Sequence, residues 1–149
     1  MSDDETGAVV PPSVERILRY FRTLSREDKM HALLQYSRKL EPVPDRYRDV
    51  DRGAFTVPEC QTRVDLFPEA RPDGTLHFYA DVDTKRSPTI AAFLAILFAA
   101  VNDQPPATTL SIPTDFARQV MENVGLGARE SGFTAMVARV KRYAASARH

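Results

Sequence analysis

Val57-Pro58-Glu59-Cys60-Gln61-Thr62-Arg63-Val64-Asp65-Leu66-Phe67 holds the single cysteine of the chain and runs from a turn signal into alternating residues. From Arg63 onward, Val64 and Leu66 face one way and Arg63 and Asp65 the other, the period of a half-buried strand. Pro58 fixes its own φ and has no backbone donor, so a loop or a terminated edge is expected before the strand. Cys60 is thereby placed on a bend rather than inside an element.

A lone cysteine is more often a small buried hydrophobe than a reagent. Here its neighbours Glu59, Gln61, Thr62 and Arg63 are all polar, the setting of an exposed, reactive thiol. Arg63 favours the thiolate and Glu59 opposes it, each by about 0.7 kcal/mol at roughly 6 Å in a water-like dielectric. The two nearly cancel, so no strongly depressed pKa follows. A thiol titrating near ambient pH still attacks well in exchange chemistry.

The flanking elements read outward from that loop. Residues 54–57 are expected to form a short strand entering it, residues 62–67 a second, and residues 75–82 a third after the Pro72-Asp73-Gly74 turn. In the third, Leu76, Phe78, Ala80 and Val82 face the core, with His77, Tyr79 and Asp81 on a wet face. The result is a small antiparallel three-stranded sheet packed against several helices, an α+β fold.

Upstream, residues 1–12 carry Asp3, Asp4 and Glu5 and end in Pro11-Pro12, the pattern of a mobile N-terminal tail before a single domain over residues 13–149. Ser13 is expected to cap a helix over residues 13–23, with Val14, Ile17, Leu18 and Phe21 inward. Ser25 caps the next, which runs to about Lys39 with Met30, Leu33, Leu34 and Leu40 as its apolar positions. Two prolines in Glu41-Pro42-Val43-Pro44-Asp45 then exclude helix and central strand.

Downstream, Pro88 opens a helix that is nearly apolar all round and belongs in the core. A further helix is expected over residues 114–124, stopped by Gly125-Leu126-Gly127, and a last one from about Ser131 with Phe133, Met136, Val137, Val140 and Tyr143 inward.

At 149 residues the chain suits one core burying about two-thirds of its unfolded surface. Zero formal net charge argues against a general nucleic-acid surface, and the apolar run 90–101 is too short for a membrane span. With one cysteine and no basic-then-apolar leader, a reducing, cytoplasmic compartment is expected. His31, His77 and His149 are scattered without metal-ligand spacing, and no phosphate-binding glycine motif is present. A Cys60–His77 hydrolase is conceivable but has no oxyanion signature beside it. Asp81 and Asp83 read as solvated loop charges.

The segment Val57-Pro58-Glu59-Cys60-Gln61-Thr62-Arg63-Val64 resembles the cysteine loop of the SufE family of sulfur-acceptor proteins, where a Gly-Cys-Gln-Ser type sequence precedes the sheet. Pro44-Asp45-Arg46-Tyr47 is similar to the family's loop after the second helix, and Ala80-Asp81-Val82-Asp83 to its acidic turn before the buried helix. Ala128-Arg129-Glu130-Ser131-Gly132-Phe133 resembles its Arg-x-x-Gly-Leu entry to the last helix. The resemblance runs from about Ser13 to Ala147.

It implies a fold shared with the IscU scaffold and a partnership with a pyridoxal-phosphate (PLP) cysteine desulfurase of the SufS or CsdA type. Cys60 would accept persulfide sulfur, stimulate the desulfurase and deliver sulfur to an iron-sulfur scaffold. The chain would then be a monomer or weak homodimer that acts as an accessory protein rather than an enzyme. It would hold no cofactor or metal of its own, the PLP residing on the desulfurase, and would engage neither nucleic acid nor membrane. Glu59, Gln61, Arg63, Asp83 and Arg129 become the loop or partner-contact positions. Glu59 departs from the family's glycine, a change that raises the thiol pKa, and Arg86-Ser87-Pro88-Thr89 departs from the family's helix start. One sulfur can carry but cannot cage, since cluster scaffolds use several cysteines. The competing readings are a stand-alone thiol-dependent enzyme using Cys60 and a non-catalytic adaptor.

Overall fold

The structure, a computed structural model, describes residues 10–125 and 129–147. The expected acidic tail and the His149 position lie largely or wholly outside those residues, as do Leu126 and Gly127 of the expected stop. Among the described residues there are six α-helices and one two-stranded sheet: α1 (Pro12–Arg22), α2 (Arg26–Ser37), β1 (Asp65–Ala70), β2 (Leu76–Asp81), α3 (Pro88–Val101), α4 (Pro106–Leu110), α5 (Phe116–Val120) and α6 (Glu130–Ala147). The α+β class stands.

The core is organised around α3, where every residue from Ile90 to Phe98 is buried. α1, α2, β2 and α6 pack on it, and α6 also packs on α4, α5 and β1. Burial all round follows from a sequence with no polar stripe to turn toward water. Phe93 stacks on Phe133 of α6 at 4.5 Å and meets Phe116 of α5 edge-on at 6.0 Å, fixing α6 to the core.

The sheet is smaller than expected. β1 and β2 pair antiparallel with Asp65 opposite Asp81 and Ala70 opposite Leu76. The anticipated strand at residues 54–57 is reduced to one bridge, Thr56 to Asp65. Arg52–Ala54 is instead a 3-10 turn whose Gly53 N–H donates to the Asp51 carboxylate at 3.0 Å, and Pro58 has no N–H to continue a ladder. On the far side Asn102–Gln104 covers the edge of β2. The Asn102 amide accepts from Phe78 N–H at 2.8 Å and donates to Phe78 O at 3.1 Å, while Leu76 N–H donates to Gln104 O at 3.0 Å. Both edges are thus closed by irregular segments.

The face expected to be wet is buried at His77 and Tyr79 and stays exposed only at Asp81, the end of β2. His77 and Tyr79 are only 7% and 8% exposed. The 3-10 turn Asp45–Tyr47 covers this face, with Tyr47 stacked on Phe67 at 4.9 Å and Arg46 paired with Glu69. Asp65, read as outward, is likewise buried, held by Arg52, Arg63 and the Thr56 hydroxyl.

Helix ends also differ from expectation. α1 begins at Pro12 and Ser13 does not cap it; the Ser13 hydroxyl donates to Ala100 O at 2.7 Å, tying α1 to α3. Ser25 does cap α2, accepting from Asp28 N–H at 3.1 Å. α2 ends at Ser37, with Met30 and Leu34 exposed and Lys29, Ala32 and Leu33 inward. Lys29 reaches the core side because its ammonium donates to Glu122 O at 2.7 Å, and burial lowers its pKa. The helix expected over residues 114–124 is the short α5, preceded by the separate α4.

Candidate functional site

The cysteine loop has a buried neck. Val57 and Val64 are both buried, and Val57 N–H donates to Val64 O at 2.9 Å, closing residues 58–63 into a flap. Cys60 N–H turns back to Val57 O at 3.3 Å. At the exit, the Ser87 hydroxyl, just before α3, lies 3.3 Å from the Thr62 hydroxyl. The flap is short and polar because the sequence between the two valines offers nothing for the core to take.

Under the flap is a pocket of about 130 Å³ lined by Glu59, Cys60, Gln61, Thr62, Ile90, Arg129, Gly132, Phe133 and Met136. Its floor is apolar: Ile90, Phe133 and Met136 are buried. Its rim is polar, with Glu59, Gln61 and Arg129 exposed. Cys60 is half-buried between the two, its Sγ 3.8 Å from Gly132 O, a weak S–H donor contact. Arg129 is brought to the rim by the start of α6, where Glu130 receives two hydrogen bonds from the Arg118 guanidinium at 2.8 and 2.5 Å.

The electrostatics differ from the balanced pair expected. Burial, then the Glu59 carboxylate, pushes the Cys60 thiol up to about 11. Arg63 does not offset this, because its guanidinium turns to Asp65 at 3.3 Å. At neutral pH only about one molecule in 10⁴ carries the thiolate. The resting sulfur is a protonated thiol facing a small, partly apolar space.

Of the sequence-derived positions, the structure brings Glu59, Gln61 and Arg129 to the Cys60 pocket. Arg63 and Asp83 line an adjoining groove with Arg52, Asp81 and Arg86, joined to the pocket through Thr62. The Asp83 carboxylate accepts from the N–H groups of Lys85 and Arg86, both at 3.2 Å, and so shapes the turn before α3. His77 belongs elsewhere. Its ring nitrogens face Glu41 at 2.6 Å and Asp103 at 2.9 Å in a separate pocket, so it is no partner for Cys60. Among the described residues no group of three or more His, Cys, Asp or Glu side chains is placed to hold a metal. Sequence reasoning named Gly132 only within the segment of residues 128–133 and gave it no role, whereas it lines the pocket beneath Cys60.

The family model described as SufE, Fe-S metabolism associated domain, matches residues 15–144. This chain belongs to the SufE family. Uncharacterized SufE-like proteins of two Mycobacterium tuberculosis strains are 31% identical over 142 residues, covering 91% of this chain and 93% of theirs. A hypothetical protein from Thermus thermophilus, known from a solution structure, is similar at a TM-score of 0.80 and 27% identity, covering 93% of this chain and 98% of its own. The chain is also 25% identical over 126 residues to the chloroplastic quinolinate synthase of Arabidopsis thaliana, matching 84% of this chain and 16% of that protein. Membership in SufE associates the chain with iron-sulfur metabolism as an accessory protein. Among its described residues no helix is long and apolar enough to cross a membrane.

Proposed function

We propose that this SufE protein carries sulfur for a PLP-dependent cysteine desulfurase, taking sulfane sulfur onto Cys60 and passing it toward iron-sulfur cluster assembly. The observation that carries this reading is the sole cysteine on a short flap with a fixed neck, over a pocket with room beyond the sulfur. Holding a water-sized atom takes roughly 10–15 Å³ of such space, and the pocket offers about 130 Å³.

In the transfer, Cys60 sulfur attacks the outer sulfur of the desulfurase's persulfide. The bond between that outer sulfur and the desulfurase's cysteine breaks, and the cysteine leaves as a thiolate. Cys60 keeps the transferred sulfur as a persulfide, and the proton from its thiol ends on the released cysteine. No external oxidant or reductant is consumed. A thiol titrating near 11 makes acceptance slow while the flap is down. Docking that lifts the flap restores water to the sulfur and lowers that barrier, so delivery is tied to the partner.

The test is intact-mass analysis after incubation with a desulfurase and cysteine. Wild type is expected to gain one sulfur atom per chain at Cys60, and Cys60→Ser none. A wild-type chain that gains no sulfur removes the reading.

A further inference from the structure

A methyl group built on Gly132 would meet Cys60 Sγ at 3.1 Å, Cα at 3.6 Å and Cβ at 3.8 Å. Gly132 lies in the first turn of α6, where glycine is a poor helix former and its φ requires nothing unusual. A missing side chain here is explained by the sulfur above it. The same residue's carbonyl oxygen faces the thiol. The turn that carries it is pinned, by Arg118 to Glu130 on one side and by Phe133 stacked on Phe93 beneath.

We propose that Gly132 is a positioning residue: its bare Cα leaves the room, a seat, in which the Cys60 sulfur sits inward under the closed flap, and a side chain there sets how firmly that sulfur is held. The flap moves and the helix does not. Apart from its neck, the flap is held by Ser87 to Thr62 at 3.3 Å, by Arg63 to Asp65 at 3.3 Å and by the weak Cys60 contact to Gly132 O, and the last of these is the one that a side chain at residue 132 disturbs. The seat itself stands on geometry alone; its part in transfer rests on the carrier reading above.

The experiment uses the full chain with Gly132→Ala, in the wild-type and Cys60→Ala backgrounds. The added methyl makes the sulfur give way from α6 by a few tenths of an ångström and loosens the flap over it, so the pH midpoint of iodoacetamide modification of Cys60 should fall below that of wild type. The Tm change caused by Gly132→Ala should be more favourable in the Cys60→Ala background, where there is no sulfur to strike and helix propensity favours alanine. An unshifted alkylation midpoint, or equal Tm changes in the two backgrounds, overturns the seat. Failure to fold only when Cys60 is present supports it, and failure in both backgrounds overturns it. With a desulfurase and cysteine, the variant is expected to accept sulfur faster than wild type; an equal rate removes the seat's part in transfer. Should wild type take no sulfur at all, the carrier reading falls, while alkylation still decides the seat.

Discussion

At Cys60, burial and the neighbouring Glu59 carboxylate push the same way, and the charge that might have opposed them is occupied elsewhere, since Arg63 pairs with Asp65. The sign is direct. An acid whose pKa is raised carries less thiolate at neutral pH, and its reactivity climbs tenfold per pH unit until about 11. Glu59→Gln removes the smaller of the two causes, so the midpoint of iodoacetamide modification against pH should fall while staying above that of an exposed thiol. An unmoved midpoint would mean that burial alone sets it. The sequence showed Glu59 beside Cys60 and the direction of its effect. It did not show that Arg63 would turn away, because which carboxylate a flexible guanidinium meets depends on a fold that buries Asp65 beside it.

Among the elements, α3 and α6 matter most to the site. Ile90 of α3 and Gly132, Phe133 and Met136 of α6 make the pocket's inner surface, and the Phe93–Phe133 stack joins the two helices. Phe93→Ala should cost about 3–5 kcal/mol, the range for removing a buried aromatic ring. Urea unfolding measures it, and an unchanged midpoint would count against the stack as the joint between helix and site. α3 was legible because eleven of its residues are buried and the sequence offers no alternative face. α2 was not: Met30 and Leu34 looked like core positions, yet Lys29 took the inner face once a backbone carbonyl of the α5 turn was there to receive its ammonium. A helical period fixes the spacing of a buried face but not its rotation when a long cation can reach a partner.

Across the molecule, the rim of the pocket and the groove beside it form one continuous surface through Thr62, carrying Glu59, Arg63, Asp83 and Arg129. If a desulfurase docks there, Arg129→Glu should weaken its binding, and the loss should grow as salt is lowered because exposed charges are then less screened. Titration at two ionic strengths reads this, and equal affinities for variant and wild type would retire Arg129 as a contact. What the sequence determined by itself was local: the buried α3, the breaker at residues 41–45, the hairpin turn at Gly74, and the cysteine on a loop before a strand. Each is written in spacing, proline and glycine chemistry within one segment. Only the tertiary structure decided that the sheet stops at two strands, that its second face is covered, and that the sulfur rests on Gly132. Those outcomes depend on which distant backbone and side-chain groups satisfy one another, and no single stretch of chain contains both partners.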